Sequence, residues 1–155
     1  MTEPDDDIDR LMAIMQAAFD PAYGEAWTRR QVEDALLLGN CFYALIADHG
    51  GPPAPGEAAS GFYLSRHGVE EEELLLLAVA PQSRRLGLAS KLIDHLAQAA
   101  ARRGAQRLLL EMRRGNPAEI LYTNHGFLPI GERPRYYRTP GGDRLDAVTF
   151  CREMK

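Results

Sequence analysis

The stretch from Leu74 to Ala101 restricts the fold of this chain more than any other part of the sequence. Its first segment, Leu74–Val79, is nearly all apolar, as expected of a strand that is buried on both faces. From Leu88 onward, apolar residues recur at helical spacing and polar residues occupy the opposite face. The turn Arg84–Gly87 lies between these segments. The pattern therefore predicts a central strand, a turn and an amphipathic helix.

The turn ahead of the predicted helix is a candidate anion-binding site. A helix start presents unpaired N–H groups and a partial positive charge, which suits a phosphate or pyrophosphate. Arg84 and Arg85 add positive charge, and Gly87 lets a ligand approach the backbone closely. The turn does not match G-x-x-x-x-G-K-S/T and lacks the three-glycine dinucleotide pattern. Taken alone, it is equally consistent with an ordinary helix start.

The rest of the chain mixes helical and strand-like patterns, which is typical of an α/β (α+β) domain. A first helix is predicted from the acidic residues Asp5–Asp7 to about Ala18, and a second from a Thr28 cap to Leu38. A short helix is predicted to start with Asn116 as its cap and to close at Gly126. Besides the central strand, the predicted strands are Cys41–Ala47, Ala59–Arg66, Gln106–Arg113, a strand starting at Phe127–Ile130, and Asp146–Arg152.

Three local features allow more than one interpretation. The charge run Glu70–Glu73 is interpreted mainly as a solvated turn at the entry to the central strand, and otherwise as an acidic rim that attracts a positively charged substrate. Trp27 is expected to pack over the second helix rather than to face a ligand. Cys41 and Cys151 lie in apolar segments without metal-ligand spacing, so we expect buried, reduced thiols and no metal.

Composition excludes several functional classes. The 155 residues are expected to form one domain spanning 1–155, and the net charge of −4 argues against broad nucleic-acid binding. No run of about 18 apolar residues is present, so no membrane span is predicted. The segment Thr2–Asp7 is acidic where a secretion signal would be basic and then apolar. We therefore expect a cytoplasmic protein.

Two further side chains are candidates for acid–base chemistry. Glu111 follows the apolar residues Leu108–Leu110, so its carboxylate either faces a cleft or forms a salt bridge at a sheet edge. Tyr122 falls in the short helix after that strand. A helical tyrosine usually packs in the core or its rim, but a phenol can also donate a proton.

Read together, these motifs resemble the Gcn5-related N-acetyltransferase (GNAT) superfamily. Arg84–Ala89 is similar to its acetyl-CoA signature, Q/R-x-x-G-x-G/A. The further matches resemble the RimI type and are Leu110–Arg113, Asn116, Leu121-Tyr122, Gly126-Phe127, Arg135–Tyr137 and Asp146-Ala147. RimI-type enzymes acetylate the N-terminal alanine of a small-subunit ribosomal protein. The resemblance implies a GNAT-like mixed sheet of six or seven strands, flanked by about four helices, with the first strand short or absent.

The resemblance also implies roles for individual residues. Glu111 would accept a proton from the substrate ammonium, the Val79 N–H would stabilise the oxyanion, and Tyr122 would protonate the CoA thiolate. The residues implied to bind acetyl-CoA are Leu77, Ala78, Val79, Arg84, Arg85, Leu86, Gly87, Leu88, Ala89, Ser90 and Asn116. Those implied on the acceptor side are Trp27, Arg135, Tyr136 and Tyr137, together with Arg138 and the loop near Asp20–Ala26.

The acceptor amine is left open between classes. An α-amino group has a pKa of about 7.7–8.0 and lysine about 10.4, so a neutral lysine costs roughly 3.5 kcal/mol more to produce. A single carboxylate base thus favours a protein N-terminus. The resemblance implies that this is the N-terminus of a ribosomal protein, and we expect the chain to be a monomer or a weak homodimer. The alternatives are a GNAT that acts on a lysine, a polyamine or a small-molecule amine, and an acyl-CoA-binding module without turnover.

Overall fold

Strand β3 (Glu71–Val79) lies inside a six-stranded sheet with the order β1-β2-β3-β4-β6-β5. The computed structural model describes residues 6–154, so Asp5 of the predicted helix start lies outside the described residues. The helices are α1 (Asp6–Ala18), α2 (Arg29–Leu37), α3 (Leu88–Arg102) and α4 (Glu119–Asn124). The other strands are β1 (Cys41–Ile46), β2 (Gly61–His67), β4 (Arg107–Arg113), β5 (Leu128–Arg138) and β6 (Arg144–Glu153). These elements confirm the predicted mixed sheet with four flanking helices; within 6–154, no strand precedes α1.

The sheet separates two hydrophobic clusters. The α3 side contains Leu92, Leu96 and Phe150, whereas the α1 and α2 side contains Leu11 and Val32. Each cluster arises from the apolar stripe of an amphipathic helix, which is buried against the sheet. Strand β3 contributes residues to both clusters, which confirms that it is buried on its two faces. The two cysteines are buried and free, as predicted.

A β-bulge at Leu75 changes which face of β3 each residue occupies. Leu76 pairs with Leu64 and Leu74 pairs with Ser65, so Leu75 has no direct partner on β2. Leu74 therefore packs on the α3 side although Leu76, two positions later, packs on the α1 side. The bulge lies at the point where β3 loses its other neighbour.

Strands β3 and β4 are paired along only the first half of their length. Their parallel pairing ends at Leu74 and Leu110, yet β3 continues to Val79 and β4 to Arg113. Beyond Leu74, no described strand pairs with β3 on this side. The separation opens a cleft between the two strands and leaves main-chain groups of β3 without a strand partner.

The acidic run is part of the sheet, and its interpretation as a solvated turn is wrong for Glu71–Glu73. These residues begin β3, and the Glu72 side chain is fully buried. Arg103 donates hydrogen bonds to both Glu72 carboxylate oxygens, with Nε 2.9 Å from Oε1, while the Ser65 hydroxyl donates at 2.7 Å. His67 Nδ1 lies 3.1 Å from Glu72 Oε1. Because a buried carboxylate is tolerated when it is fully paired, Glu72 is a structural group rather than part of an acidic rim.

The short helix starts later than the sequence suggests. Helix α4 begins at Glu119, not at Pro117, and its N-cap is Ala118. Asn116 Oδ1 accepts a hydrogen bond from the Ala118 N–H at 2.9 Å, so Asn116 stabilises the turn before the helix. The prediction that Asn116 caps the helix is therefore wrong, because the N-cap residue is Ala118, which makes no side-chain capping hydrogen bond.

Candidate active site

The cleft between β3 and β4 is the inner part of a cavity of about 810 Å³. Residues 74–77 of β3 and 110–113 of β4 form its inner wall. The segment 18–27 after α1, the turn 116–118 and side chains of α4 and β5 close the other sides. The cavity therefore lies where the loss of strand pairing makes main-chain and side-chain groups available to a ligand.

Glu111 lies in the inner wall of this cavity. Its carboxylate is 20% exposed and lies 3.7 Å from Arg133 Nε, and it accepts a hydrogen bond from the Thr149 hydroxyl at 3.3 Å. The side chain thus faces the cleft and also forms an ion pair, although β4 is an interior strand and not a sheet edge. Its catalytic role stays a prediction. An ionised carboxylate in such a place can accept a proton from a bound group.

Tyr122 enters the same cavity from α4. Its ring packs edge-on against Phe127, with 5.7 Å between ring centroids. Burial raises the pKa of the Tyr122 phenol, so the group keeps its proton at neutral pH. Tyr122 is thus a core-packing residue whose hydroxyl is a potential proton donor to the cavity.

The turn before α3 retains the features expected of an anion site. Arg85 and Gly87 have φ values of +72° and +76°, and α3 starts at Leu88 without a capping side chain. A Cβ built on Gly87 would meet no heavy atom within 4 Å, so the space above the backbone is open. The first N–H groups of a 15-residue helix therefore face outward beside two arginines.

The other predicted cofactor residues divide into two groups. Leu77, Arg84 and Asn116 line the cavity, and Arg84 Nε lies 3.4 Å from the Val79 carbonyl oxygen. The remaining predicted residues are outside the cavity lining: Ala78, Val79, Arg85, Leu86, Gly87, Leu88, Ala89 and Ser90. They follow the cavity-lining residue Leu77 in the sequence and form the end of β3, the turn and the start of α3. Their contacts with the cofactor stay predictions.

The predicted acceptor-side residues are only partly brought together. Trp27 and Tyr137 line the cavity, and Trp27 also packs against the α1-side cluster. Arg135 and Tyr136 lie outside the lining. Tyr136 is half exposed and meets Tyr137 edge-on, whereas the Arg135 N–H donates to Asp146. Of the motif Arg135–Tyr137, Tyr137 alone reaches the cavity.

The cavity wall also carries a cluster of Tyr23, Glu25 and Arg113, none of which was predicted individually as a site residue, although the first two fall in the predicted acceptor-side loop 20–26. The Arg113 guanidinium carbon lies 3.6 Å from the Tyr23 ring centroid, and Arg113 Nε lies 3.6 Å from Glu25 Oε2. Strand alternation could have indicated Arg113, because it is two residues after Glu111 on the same face of β4. Glu25 lies in an irregular segment and had no such signal.

The cavity, the helix start and the sheet order agree with what comparison with known proteins finds. Residues 39–129 match the family model described as Acetyltransferase (GNAT) domain. The chain belongs to this GNAT family. The matched region extends from before β1 into the start of β5 and includes the cleft, Glu111 and Tyr122.

The chain is similar in sequence to individual proteins of one named type. A [Ribosomal protein bS18]-alanine N-acetyltransferase of Haemophilus influenzae is 33% identical over 91 residues, which are 59% of this chain and 62% of that protein. The Escherichia coli protein of the same name is 37% identical over 93 residues, with the same coverages. The match to this chain thus spans less than two-thirds of these curated relatives.

A solved structure extends the similarity over nearly the whole chain. The crystal structure of the ribosomal-protein-S18-alanine N-acetyltransferase from Escherichia coli superposes with a TM-score of 0.77 at 26% identity. The alignment covers 99% of this chain and 91% of that one. The GNAT chain described here therefore shares this architecture outside the family-matched region too.

Within residues 6–154, no group of three or more His, Cys, Asp or Glu side chains is arranged to hold a metal ion. None of the helices in that range is both long and apolar enough to cross a membrane.

Proposed function

We propose that this chain transfers an acetyl group from acetyl-CoA to a primary amine, most specifically to the N-terminal α-amine of a ribosomal protein that begins with alanine. The observation that carries the proposal is the shared cavity, in which Glu111 and Tyr122 face one space beside the unpaired part of β3. Membership of the GNAT family and the names of the relatives support the reaction and the acceptor.

The residues at the start of α3 fit a CoA pyrophosphate. The uncapped helix start, the open space over Gly87 and the positive φ of Arg85 leave N–H groups directed at a ligand. Arg84 and Asn116 would contact the cofactor where it enters the cavity. The backbone of Leu77 and Val79, which lacks a strand partner on the β4 side, would hold its pantetheine arm.

The proton transfers follow from the positions of two side chains. Acetyl-CoA supplies an activated acetyl thioester. Glu111 accepts one proton from the acceptor ammonium, which produces the neutral amine that attacks the acetyl carbonyl carbon. As the tetrahedral intermediate collapses, its nitrogen loses a second proton to solvent water, and Tyr122, protonated at neutral pH, donates its proton to the departing thiolate. The Val79 N–H stabilises the oxyanion that forms between these events. Neither cysteine is needed as a nucleophile.

A lysine, polyamine or small-molecule amine is the alternative acceptor, and an acyl-CoA-binding module without turnover is the alternative class. The presence of both an acid and a base in one cavity favours turnover. The lower pKa of an α-amine, about 7.7–8.0 against about 10.4 for lysine, favours an N-terminus.

Mass spectrometry of acetylated peptides tests this proposal. The purified chain is incubated with acetyl-CoA and an alanine-started ribosomal peptide, and in parallel with the same peptide blocked at its N-terminus. We expect acetylation of the free N-terminus alone. Modification confined to lysines of the blocked peptide would contradict the N-terminal assignment, and normal acetyl-CoA binding without any product would favour the binding module.

A further inference from the structure

Glu25 lines the cavity together with the carboxylates of Asp20 and Glu111, and the proton path does not use Glu25. It lies in the segment that joins the short 3₁₀ turn Pro21–Tyr23 to α2. Its side chain is 25% exposed and faces the cavity that Glu111 also lines. A carboxylate withdrawn from water in this way needs a compensating positive charge.

Arg113 compensates Glu25 incompletely. Arg113 Nε and Glu25 Oε2 are 3.6 Å apart, which is too long for a hydrogen bond. The guanidinium is instead held against the Tyr23 ring, and its buried Nε has no hydrogen-bond partner. Within residues 6–154, the Glu25 carboxylate accepts no hydrogen bond, so its oxygens can receive donors from a ligand.

Glu25 and Glu111 are connected through Arg113. Arg113 contacts Glu25 and lies two residues after Glu111 on the same face of β4, and all three side chains line the cavity. Tyr137 lines the cavity with them, and its pKa is raised by burial and then by the charges of Glu111 and Glu25.

We infer that Glu25 binds the ammonium group of the acceptor and directs it to Glu111. This inference rests on the proposed amine acetylation and adds a substrate-binding residue to it. An ammonium group would supply hydrogen-bond donors that Arg113 does not, together with a positive charge that a neutral acceptor of the same shape lacks. Glu25 thereby selects cationic acceptors before the proton is removed.

Several charged groups face Glu25 and set the pH range of this binding. Burial raises the pKa of Glu25 above its usual value, Arg113 opposes the rise, and Asp20 adds to it. Tyr137 and Glu111 line the same cavity. As the pH falls through the raised pKa, Glu25 becomes neutral and loses its attraction for ammonium.

A pair of matched ligands tests the inference without requiring turnover. Calorimetry in the presence of CoA measures the binding of an alanine-started peptide and of its analogue with a hydroxyl in place of the N-terminal amine. At pH 6.5 the amine is largely charged, since its pKa is about 7.7–8.0. We expect wild type to bind the amine peptide about 10- to 100-fold more tightly, the usual contribution of a charge-assisted hydrogen bond.

The variant Glu25→Gln should bind both peptides about equally, with the hydroxyl peptide bound as in wild type. Glu33→Gln, which changes an exposed carboxylate of α2 paired with Arg29, should keep the wild-type preference. A retained preference in Glu25→Gln, or an equal loss of affinity for both peptides, would overturn the inference. Acetyl-CoA affinity and unfolding of each variant check that its fold is intact, and Glu25→Asp should restore part of the preference.

The proposed function has a separate readout. If wild type yields no acetylated amine by mass spectrometry, the acetylation proposal fails whatever the binding preference is. If acetylation proceeds and wild type binds the two peptides equally, the role of Glu25 fails alone.

Discussion

Glu72 and Glu25 are both carboxylates that face an arginine away from bulk water, yet their surroundings differ. Glu72 is fully buried and is hydrogen-bonded to Arg103, Ser65 and His67. Glu25 is partly exposed to a cavity and lies 3.6 Å from Arg113 without a hydrogen bond. Burial acts to raise the pKa of both groups, but the hydrogen bonds reverse the direction for Glu72 and lower its pKa.

This difference in hydrogen bonding distinguishes a carboxylate that stabilises the fold from one that is available to bind a ligand. A carboxylate whose acceptor sites are filled from within the protein has nothing to offer a ligand. One that is desolvated and incompletely paired carries a free-energy cost that a cationic ligand can offset. Completeness of pairing is thus more informative than burial or charge about which acids belong to the site.

The largest effect expected from this comparison is on stability. Glu72→Gln leaves the Arg103 guanidinium without its buried counter-charge, which should lower the free energy of unfolding by about 3 kcal/mol. Urea unfolding at pH 7 measures it. Glu73→Gln is the control, because its partner Arg66 is exposed and such pairs contribute about 1 kcal/mol or less. Equal losses in the two variants would contradict the structural role of Glu72.

The surroundings of Glu72 also explain why the predicted solvated turn was wrong at Glu71–Glu73. Strand β3 and helix α3 were predictable because an apolar run and a 3.6-residue period persist over many residues. The acidic start of β3 was not, because the residue that neutralises Glu72 is Arg103, 31 positions away in the chain. Local polarity indicated a solvated turn, and a tertiary ion pair overrode it.

The next largest effect concerns catalysis by the cavity acid Glu111. Glu111→Gln removes the proposed base and should lower kcat about 10³-fold, with the free energy of unfolding nearly unchanged. Steady-state release of CoA measures kcat. Glu132→Gln, an acid on β5 that pairs with Arg114 outside the cavity lining, should keep wild-type kcat. A Glu111→Gln enzyme with normal kcat would remove the assignment of the base.

A smaller effect on kcat is expected from Tyr122, the proposed proton donor in the same cavity. Tyr122→Phe keeps the packing against Phe127 but removes the proton donor, so kcat should fall about 10²-fold. Thioesters with a more acidic leaving thiol should be less affected, since they need less protonation. An equal fall for all thioesters would assign Tyr122 to packing instead.

The candidate site shows the same limit of sequence reasoning as the fold. Glu111 and Tyr122 were identifiable because each falls in a regular element and in a motif that resembles the GNAT pattern. Arg113 shares the face of Glu111 on β4, so strand alternation could have added it. Glu25 could not be found in this way, because an irregular segment has no period that relates its side chains to the cavity.

The smallest expected effect is the pH dependence of stability, and its sign distinguishes the two acids. The pKa of Glu72 is lowered, so its stabilisation is present above the ordinary glutamate value of 4.5 and is lost as the pH falls through the lowered pKa. The pKa of Glu25 is raised from 4.5, so its contribution to stability is present at low pH and is lost as the pH rises through the raised pKa.

Titration of the glutamate carboxyl carbons by NMR should therefore find the pKa of Glu72 below 4.5 and that of Glu25 above it. Replacing Glu25 by Gln should make urea unfolding less dependent on pH above 4.5 without changing the acid limb. A Glu25 carboxyl that titrates below 4.5 would mean that Arg113 already compensates it, and the distinction between the two acids would disappear.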